Sequence, residues 1–161
     1  MDFTKADIEQ IRIDIESEGQ SALSMLIHKD GTLNRQGNGS LPPVKVAAIG
    51  MTDGAVFHKL LELLDERVFA HAGVYDMPEK TGTPIRYSLV FLGEKPKVKV
   101  FEFRVGLQNK EVGELLPYVD AFINNAAALT NDWYEKALVN NNAANKTVSA
   151  APKKKWWQFG K

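Results

Sequence analysis

Apolar residues near the start of the chain recur at every second position, and this period restricts the fold more than any other feature of the sequence. The run alternates isoleucines with charged residues: Ile11, Arg12, Ile13, Asp14, Ile15 and Glu16. A period of two places branched side chains on one face of a strand and polar side chains on the other. We therefore predict a strand over residues 10–17. A helix that starts from a capping box at Thr4 and Asp7 is the alternative, but it would place Ile13 on its polar side.

Short links with turn-forming residues join this segment to its neighbours. An apolar run over residues 22–29 follows a glycine, and Asp30 with Gly31 gives a strong hairpin signal before another strand over residues 32–36. A shorter strand is predicted over residues 44–49. Because short links favour antiparallel pairing, we expect these segments to be neighbours in one sheet.

Two segments have helical periodicity instead. From Thr52 to Phe69 apolar side chains recur at helical spacing, and Thr52 or Asp53 is a suitable N-cap. A second apolar stripe over residues 112–138 predicts a long helix, which either begins near Pro117 or kinks there. The asparagine-rich stretch that follows predicts a frayed exit into a linker.

A second hairpin is predicted between the two helices. Residues 85–92 and 97–105 have the composition of strands, and residues 74–84 are predicted to form a surface loop. In the second strand the apolar residues fall on even positions up to Val100 and on odd positions from Phe101. Either a bulge at that point or burial of both strand faces explains this change of phase.

The order of elements predicts an α+β two-layer sandwich, with a mainly antiparallel sheet of about five to six strands covered on one face by two helices. A doubly wound parallel sheet is disfavoured because strands and helices do not alternate. A chain of 161 residues suits one domain. We assign residues 1–139 to that domain and residues 140–161 to a linker and a basic-aromatic C-terminal tail (the tail being residues 151–161).

Charge is divided unevenly along the chain. All 20 acidic residues and 15 of the 20 basic residues precede residue 140, whereas the other five, all lysines, follow it. A body of charge near −5 (residues 1–139) thus carries a C-terminal segment of charge near +5 (residues 140–161), although the formal net charge is zero. Tryptophan is frequent in interface hot spots, and two of the three tryptophans lie in the tail. The predicted partner-binding residues are Lys153, Lys154, Lys155, Trp156, Trp157 and Phe159.

Several partners fit such a tail. Opposite charge favours the acidic surface of the same body, of an identical subunit or of another protein. Lysines and interfacial tryptophans also suit an anionic membrane surface. Nucleic acid is disfavoured, because the acidic body would repel the phosphates flanking so short a site. The bland interpretation is that the lysines only keep an apolar tail soluble.

A turn near the third strand is the alternative candidate site. His28 and Asp30 flank the end of a strand, and Arg35 and Asn38 follow closely. This set suits proton transfer or an anion held by backbone N–H groups. The run from Asp30 is not a calcium loop, because Arg35 stands where that loop needs glycine. If the turn binds a small molecule, we expect these side chains to converge in a concave pocket.

Other chemistries are poorly supported. Cysteine is absent, which excludes disulfides and thiolate chemistry. Secretory-signal and membrane-span patterns are missing, so we expect a cytoplasmic protein. Without a nucleophile elbow, a dinucleotide fingerprint or a zinc motif, we expect no cofactor, no metal and no catalytic residue.

The sequence therefore predicts a small non-catalytic protein-interaction module, an adaptor or an immunity-type inhibitor, that docks through its basic-aromatic tail. The alternative is a small-molecule-binding domain or enzyme that uses the turn around His28, Asp30 and Arg35.

Overall fold

The computed structural model describes residues 3–17, 19–37, 47–75, 85–94, 97–105 and 116–149. Within these ranges the chain forms seven strands and two α-helices. In chain order they are β1 (Ile8–Ser17), β2 (Gln20–His28), β3 (Thr32–Gly37), β4 (Ala48–Met51), α1 (Ala55–Leu63), β5 (Gly73–Tyr75), β6 (Ile85–Gly93), β7 (Val98–Val105) and α2 (Leu116–Ser149).

All seven strands belong to one sheet in the order β4-β3-β2-β1-β6-β7-β5. From β4 to β7 every neighbouring pair is antiparallel, and the short strand β5 adds to β7 in parallel. The predicted α+β sandwich with a mainly antiparallel sheet is confirmed. Strand β5 corrects the loop predicted over residues 74–84, because Gly73–Tyr75 pairs with β7; residues 76–84 lie outside the described part.

The isoleucines of β1 lie at the centre of the core. β1 pairs with β2 on one side and β6 on the other, and Ile11, Ile13 and Ile15 are at most 6% exposed. Odd-numbered apolar residues of the neighbouring strands share this face, and the helices cover it. The core residues around β1 are Leu23, Met25, Ile27, Leu33, Leu89 and Phe91 from strands, and Phe57, Leu60, Val119, Phe122, Ile123 and Ala126 from helices. Strand periodicity thus places both helices on one side of the sheet.

The N-terminal segment contains both the capping box at Thr4 and Asp7 and the strand that follows it. The Thr4 backbone N–H donates to Asp7 Oδ2 at 2.8 Å, but this capping box closes only a 3₁₀ turn, Lys5–Asp7, before β1 starts. Lys97 Nζ lies 2.5 Å from Asp7 Oδ1. These bonds from Lys97 and Thr4 lower the pKa of Asp7 to about 2. The helix alternative is wrong, because alternating burial continues through β1 to Ile15.

The first predicted helix is shorter than its apolar period indicates. α1 ends at Leu63, and Leu64 is extended with ψ 126°. The Asp65 carboxylate then accepts a bond from the Arg67 backbone N–H at 3.0 Å and starts a separate 3₁₀ helix, Glu66–His71. The N-cap was also predicted wrongly, since Gly54 occupies it with φ 81° while Asp53 accepts from the Ala55 N–H.

Strand β7 has no bulge at the predicted position. Its register with β6 runs without a shift from Ile85 opposite Val105 to Leu92 opposite Val98. The bulge alternative is therefore wrong, and burial of both strand faces at this point stays a prediction. The side chains at residues 101–105 lie outside the description.

Helix α2 begins where one of the two alternatives placed it and ends later than predicted. Its first residue is Leu116, so Pro117 stands in the first turn, where a missing backbone donor is harmless. The helix continues to Ser149 instead of ending near Leu138. No glycine or proline interrupts the sequence between Pro117 and Ser149. Whether residues 140–161 act as a linker and tail stays a prediction.

The contacts of α2 show that it crosses the strands. Phe122 packs on Phe91 of β6 with ring centroids 5.6 Å apart, and Thr130 lies 3.2 Å from Met25 Sδ on β2. Further along, the Trp133 ring lies over Gly50 of the edge strand β4. The eleven residue steps from Phe122 to Trp133 span roughly 16 Å of helix, and the strands from β6 to β4 span roughly 19 Å. The axis of α2 therefore runs almost perpendicular to the strands.

Two glycines with positive φ, Gly19 and Gly31, lie in turns between neighbouring strands, and they differ in how closely other atoms approach them. Gly19 (φ 74°) has nothing within 4 Å of a Cβ placed on it, whereas a Cβ on Gly31 (φ 93°) would collide with the Thr52 carbonyl oxygen. We expect Gly19→Ala to lower the free energy of unfolding by about 1 kcal/mol from backbone strain alone. Gly31→Ala should lower it by roughly 2 to 4 kcal/mol, because steric overlap adds to the strain.

Urea unfolding of both variants measures the difference, and Gly19→Ala serves as the matched control. Equal losses for the two substitutions would show that the contact between Gly31 and Thr52 does not restrict this turn.

Candidate functional site

The sheet face that carries no helix is the main candidate surface. Even-numbered residues over 10–16 of β1, 24–28 of β2, 32–36 of β3 and 86–92 of β6 point to it, opposite the isoleucine core. Near its middle is a shallow polar groove of about 460 Å³. Its lining residues are Arg12, Asp14, Glu16, Ser21, Ser24, Gln36, Arg86 and Ser88. We call this set the polar groove.

A bulge in β2 brings one of the groove residues to this face. Ile15 pairs with Leu23 but Glu16 pairs with Ser21, so Ala22 is an extra residue in the ladder. Ala22 and Leu23 are both fully buried. An extra residue reverses the alternation. Ser21 therefore lies beside Glu16 on the helix-free face and not in the core.

The charges of the polar groove are paired within it. Arg12 Nε lies 2.7 Å from Asp14 Oδ2, and the Ser24 hydroxyl donates to Asp14 Oδ1 at 2.6 Å. Arg86 Nη1 lies 3.7 Å from Glu16 Oε2, and both side chains are more than 40% exposed. Self-neutralised side chains do not create a strong field for an anion or a cation. The groove is better suited to polar contacts with a broad partner surface than to the capture of a small ion.

An exposed apolar pair lies at the edge of the same face. Ile49 and Met51 of β4 are 72% and 67% exposed, and we call them the β4 patch. They flank Gly50, where a Cβ would lie 2.9 Å from Cζ2 of Trp133. Because Gly50 faces α2, its two neighbours point to the helix-free side. The Thr32 hydroxyl lies 3.2 Å from Met51 Sδ and helps to fix that side chain.

Further apolar side chains continue from the polar groove across the sheet. Leu26 on β2 and Val90 on β6 both stand opposite Arg12 on β1, and both are half-buried. Val98 on β7 is 47% exposed. The helix-free face therefore combines polar and apolar side chains, as protein interfaces do.

The alternative site predicted at the turn is only partly assembled. His28 Nδ1 lies 3.0 Å from Asp30 Oδ1, so these two side chains meet. Asp30 also accepts from the Thr32 backbone N–H at 2.8 Å, and bonds from Thr32 lower the pKa of the Asp30 carboxyl. Arg35 instead points to the helix side of the sheet. Asn38 lies outside the described residues.

Arg35 is fully buried between β3 and α2. Its Nη1 donates to the Ala127 carbonyl oxygen at 2.7 Å and to the Thr130 hydroxyl. Nε and Nη2 are buried without a hydrogen-bond partner in the described part of the chain. Burial lowers the pKa of Arg35, while Tyr134 and Glu135 oppose this effect. The guanidinium thus joins α2 to the sheet, and it does not converge with His28 and Asp30.

The six residues predicted to bind a partner lie outside the described residues. They are Lys153, Lys154, Lys155, Trp156, Trp157 and Phe159. Helix α2 ends at Ser149, immediately before this part of the chain. The helix therefore determines the point from which the basic-aromatic tail starts.

Sequence reasoning missed the β4 patch and the burial of Arg35. The signal for Arg35 was its parity, because it shares the odd positions of β3 with the buried Leu33. The signal for the patch was Gly50, since a glycine between two large apolar residues in a strand often marks a close approach of another group. Here that group is the Trp133 ring.

Comparison with known proteins does not assign the chain to a class: no family model, curated protein or solved structure matches it. Over the described ranges, no group of three or more histidine, aspartate or glutamate side chains is placed to hold a metal ion. Neither described α-helix combines the length and the apolar character needed to cross a bilayer. The helix-free face of the sheet and the turn at His28 and Asp30 are therefore the two surfaces on which a function can be based.

Arg35 provides a test of the joint between α2 and the sheet. Replacing a buried, incompletely bonded charge by an apolar side chain of similar length is often neutral or stabilising. We expect Arg35→Met to change the free energy of unfolding by less than about 1 kcal/mol, or to raise it. Arg35→Ala should lower it by about 2 to 5 kcal/mol, because a cavity remains under α2.

Urea unfolding of the two variants separates volume from charge at this position. A loss for Arg35→Met as large as that for Arg35→Ala would mean that the bonds to Ala127 and Thr130 hold the helix.

Proposed function

We propose that the protein is a non-catalytic protein-interaction module, of the adaptor or immunity-type inhibitor kind, that binds another protein or an identical subunit. Its basic-aromatic tail supplies the anchors, Lys153, Lys154, Lys155, Trp156, Trp157 and Phe159. The observation that carries the proposal is the β4 patch, in which two large apolar side chains are exposed to solvent at the edge of the helix-free sheet face.

Exposed apolar side chains at a sheet edge are stabilised when a partner covers them. Burying an isoleucine or methionine side chain contributes about 1.5 to 3 kcal/mol. Ile49 and Met51 are 72% and 67% exposed and lie in a strand, so their backbone is already ordered before a partner covers them. The adjacent polar groove offers polar contacts beside this apolar patch.

Charge supports the same function. A C-terminal segment (residues 140–161) near +5 on a body near −5 attracts an acidic partner over distances longer than contact. Lysines then raise the association rate, and tryptophans supply buried area. The turn at His28 and Asp30 offers a weaker basis for a small-molecule site. The Asp30 carboxylate already accepts a hydrogen bond from the Thr32 backbone N–H, and Arg35 points to the helix side of the sheet.

Removal of residues 152–161 tests this proposal. Because the tail follows α2, we expect the free energy of unfolding to stay within about 0.5 kcal/mol of the full chain, the range typical of changes away from the core. Binding to the partner should weaken by about 30-fold or more, which corresponds to the loss of one hot spot. The partner is captured from cell extract by the immobilised full chain, purified, and titrated against both forms.

Point variants divide the effect between charge and apolar area. Lys153→Glu with Lys155→Glu should weaken binding at low salt and have little effect at raised salt, where charges are screened. Trp156→Ala with Trp157→Ala should weaken binding at both salt concentrations. Unchanged affinity of the truncated chain for every captured partner would remove the basis of the proposal.

A further inference from the structure

We propose that the partner includes a second copy of this chain: the basic-aromatic tail of one copy docks on the helix-free face of another, with its tryptophans against the β4 patch. This inference rests on the proposed function and names one partner for it. Three features of the molecule point to a second copy and away from the tail's own body.

The first feature is the direction of α2. The helix crosses the strands and reaches the edge strand β4 at Trp133, yet it continues to Ser149. Residues 134–149 add 16 positions, or about 24 Å at 1.5 Å per residue. A helix in this direction therefore carries Ser149, two residues before the tail, about 24 Å beyond the edge of its own sheet.

The second feature is the reach of the tail. Trp156 is seven residue steps after Ser149, and an extended chain of seven steps spans at most about 25 Å. To reach its own β4 patch, Trp156 would need a fully extended return path that also passes around the sheet edge to the opposite face. A second copy whose β4 lies near the end of α2 demands no such extension.

The third feature is the composition of the projecting part of α2. It contains Asn140, Asn141 and Asn142 in succession, and asparagine is a weak helix former. Most helical stability in proteins comes from packing of one face against other elements. In the described part of the molecule, no strand lies beyond β4 to support this segment. A second copy placed against it would supply that support.

The receiving surface matches the tail in chemistry. The β4 patch offers two exposed apolar side chains to indole rings. On the same face, the Glu16 carboxylate pairs with Arg86 at 3.7 Å and is still 42% exposed, so a lysine of the tail can approach its exposed side. If each copy gives its tail and receives the other, the contacts are reciprocal and the assembly closes as a dimer.

Three variants test this exchange of tails between two copies, and analytical ultracentrifugation measures their oligomeric state. The first lacks residues 152–161 and keeps the β4 patch. The second carries Ile49→Asp and Met51→Asp and keeps the tail. The third, Val74→Asp, is the matched control, because Val74 is 70% exposed on the opposite edge strand β5, close to the 72% of Ile49. Circular dichroism and urea unfolding establish that each variant is folded.

We expect the full chain and the Val74→Asp variant to form dimers, and the first two variants to be monomers when each is alone. Mixing those two should restore a heterodimer, because one supplies the tail and the other supplies the patch. The heterodimer should be weaker than the full-chain dimer by at least tenfold, since only one of its two contacts is present. If the variant with Ile49→Asp and Met51→Asp does not fold, a variant with Trp156→Ala and Trp157→Ala removes the same contact from the tail side. It should also be monomeric alone.

Three results would overturn the exchange: a monomeric full chain, a dimer that persists without residues 152–161, or no heterodimer on mixing. A monomeric full chain that still captures a different protein through its tail would overturn this inference and leave the proposed function intact. Loss of tail dependence in both assays would remove both.

Discussion

The position of β1 between β2 and β6 is the constraint on which the rest of the structure depends. Its alternating side chains direct isoleucines to one side of the sheet and Arg12, Asp14 and Glu16 to the other. A shift of one residue would exchange the two sets and expose the core, so this register is strongly specified. Both helices must cover the isoleucine side. The polar groove and the β4 patch then share the remaining face, where a partner has access to both.

Much of the fold is predictable from sequence, because period and turn chemistry are local. The isoleucine run identifies β1, and Gly31 identifies the turn between β2 and β3. Strand β5 was missed because it has three residues and pairs in parallel with β7, far along the chain. The end of α1 was missed because Asp65 starts a new 3₁₀ helix within an apolar period that looks continuous.

The candidate site was less predictable, since it depends on which strands become neighbours. His28 and Asp30 meet because they are close in sequence, whereas the destination of Arg35 depends on α2 crossing above β3. The exposure of Ile49 depends on β4 being an edge strand and on Trp133 occupying the space above Gly50. Apolar composition alone indicates a strand, but it does not tell an interior strand from an edge strand.

The pairing of β1 with β6 also affects how the chain folds during synthesis. Strands β1 to β4 pair with sequence neighbours, so this meander can form as soon as it leaves the ribosome. Ile11, however, finds its other neighbour only at Phe91. Until then one side of β1 keeps free backbone N–H and C=O groups that can template wrong pairing. The nascent chain is therefore most open to aggregation before β6 is made, and chaperone binding would be of greatest use in that interval.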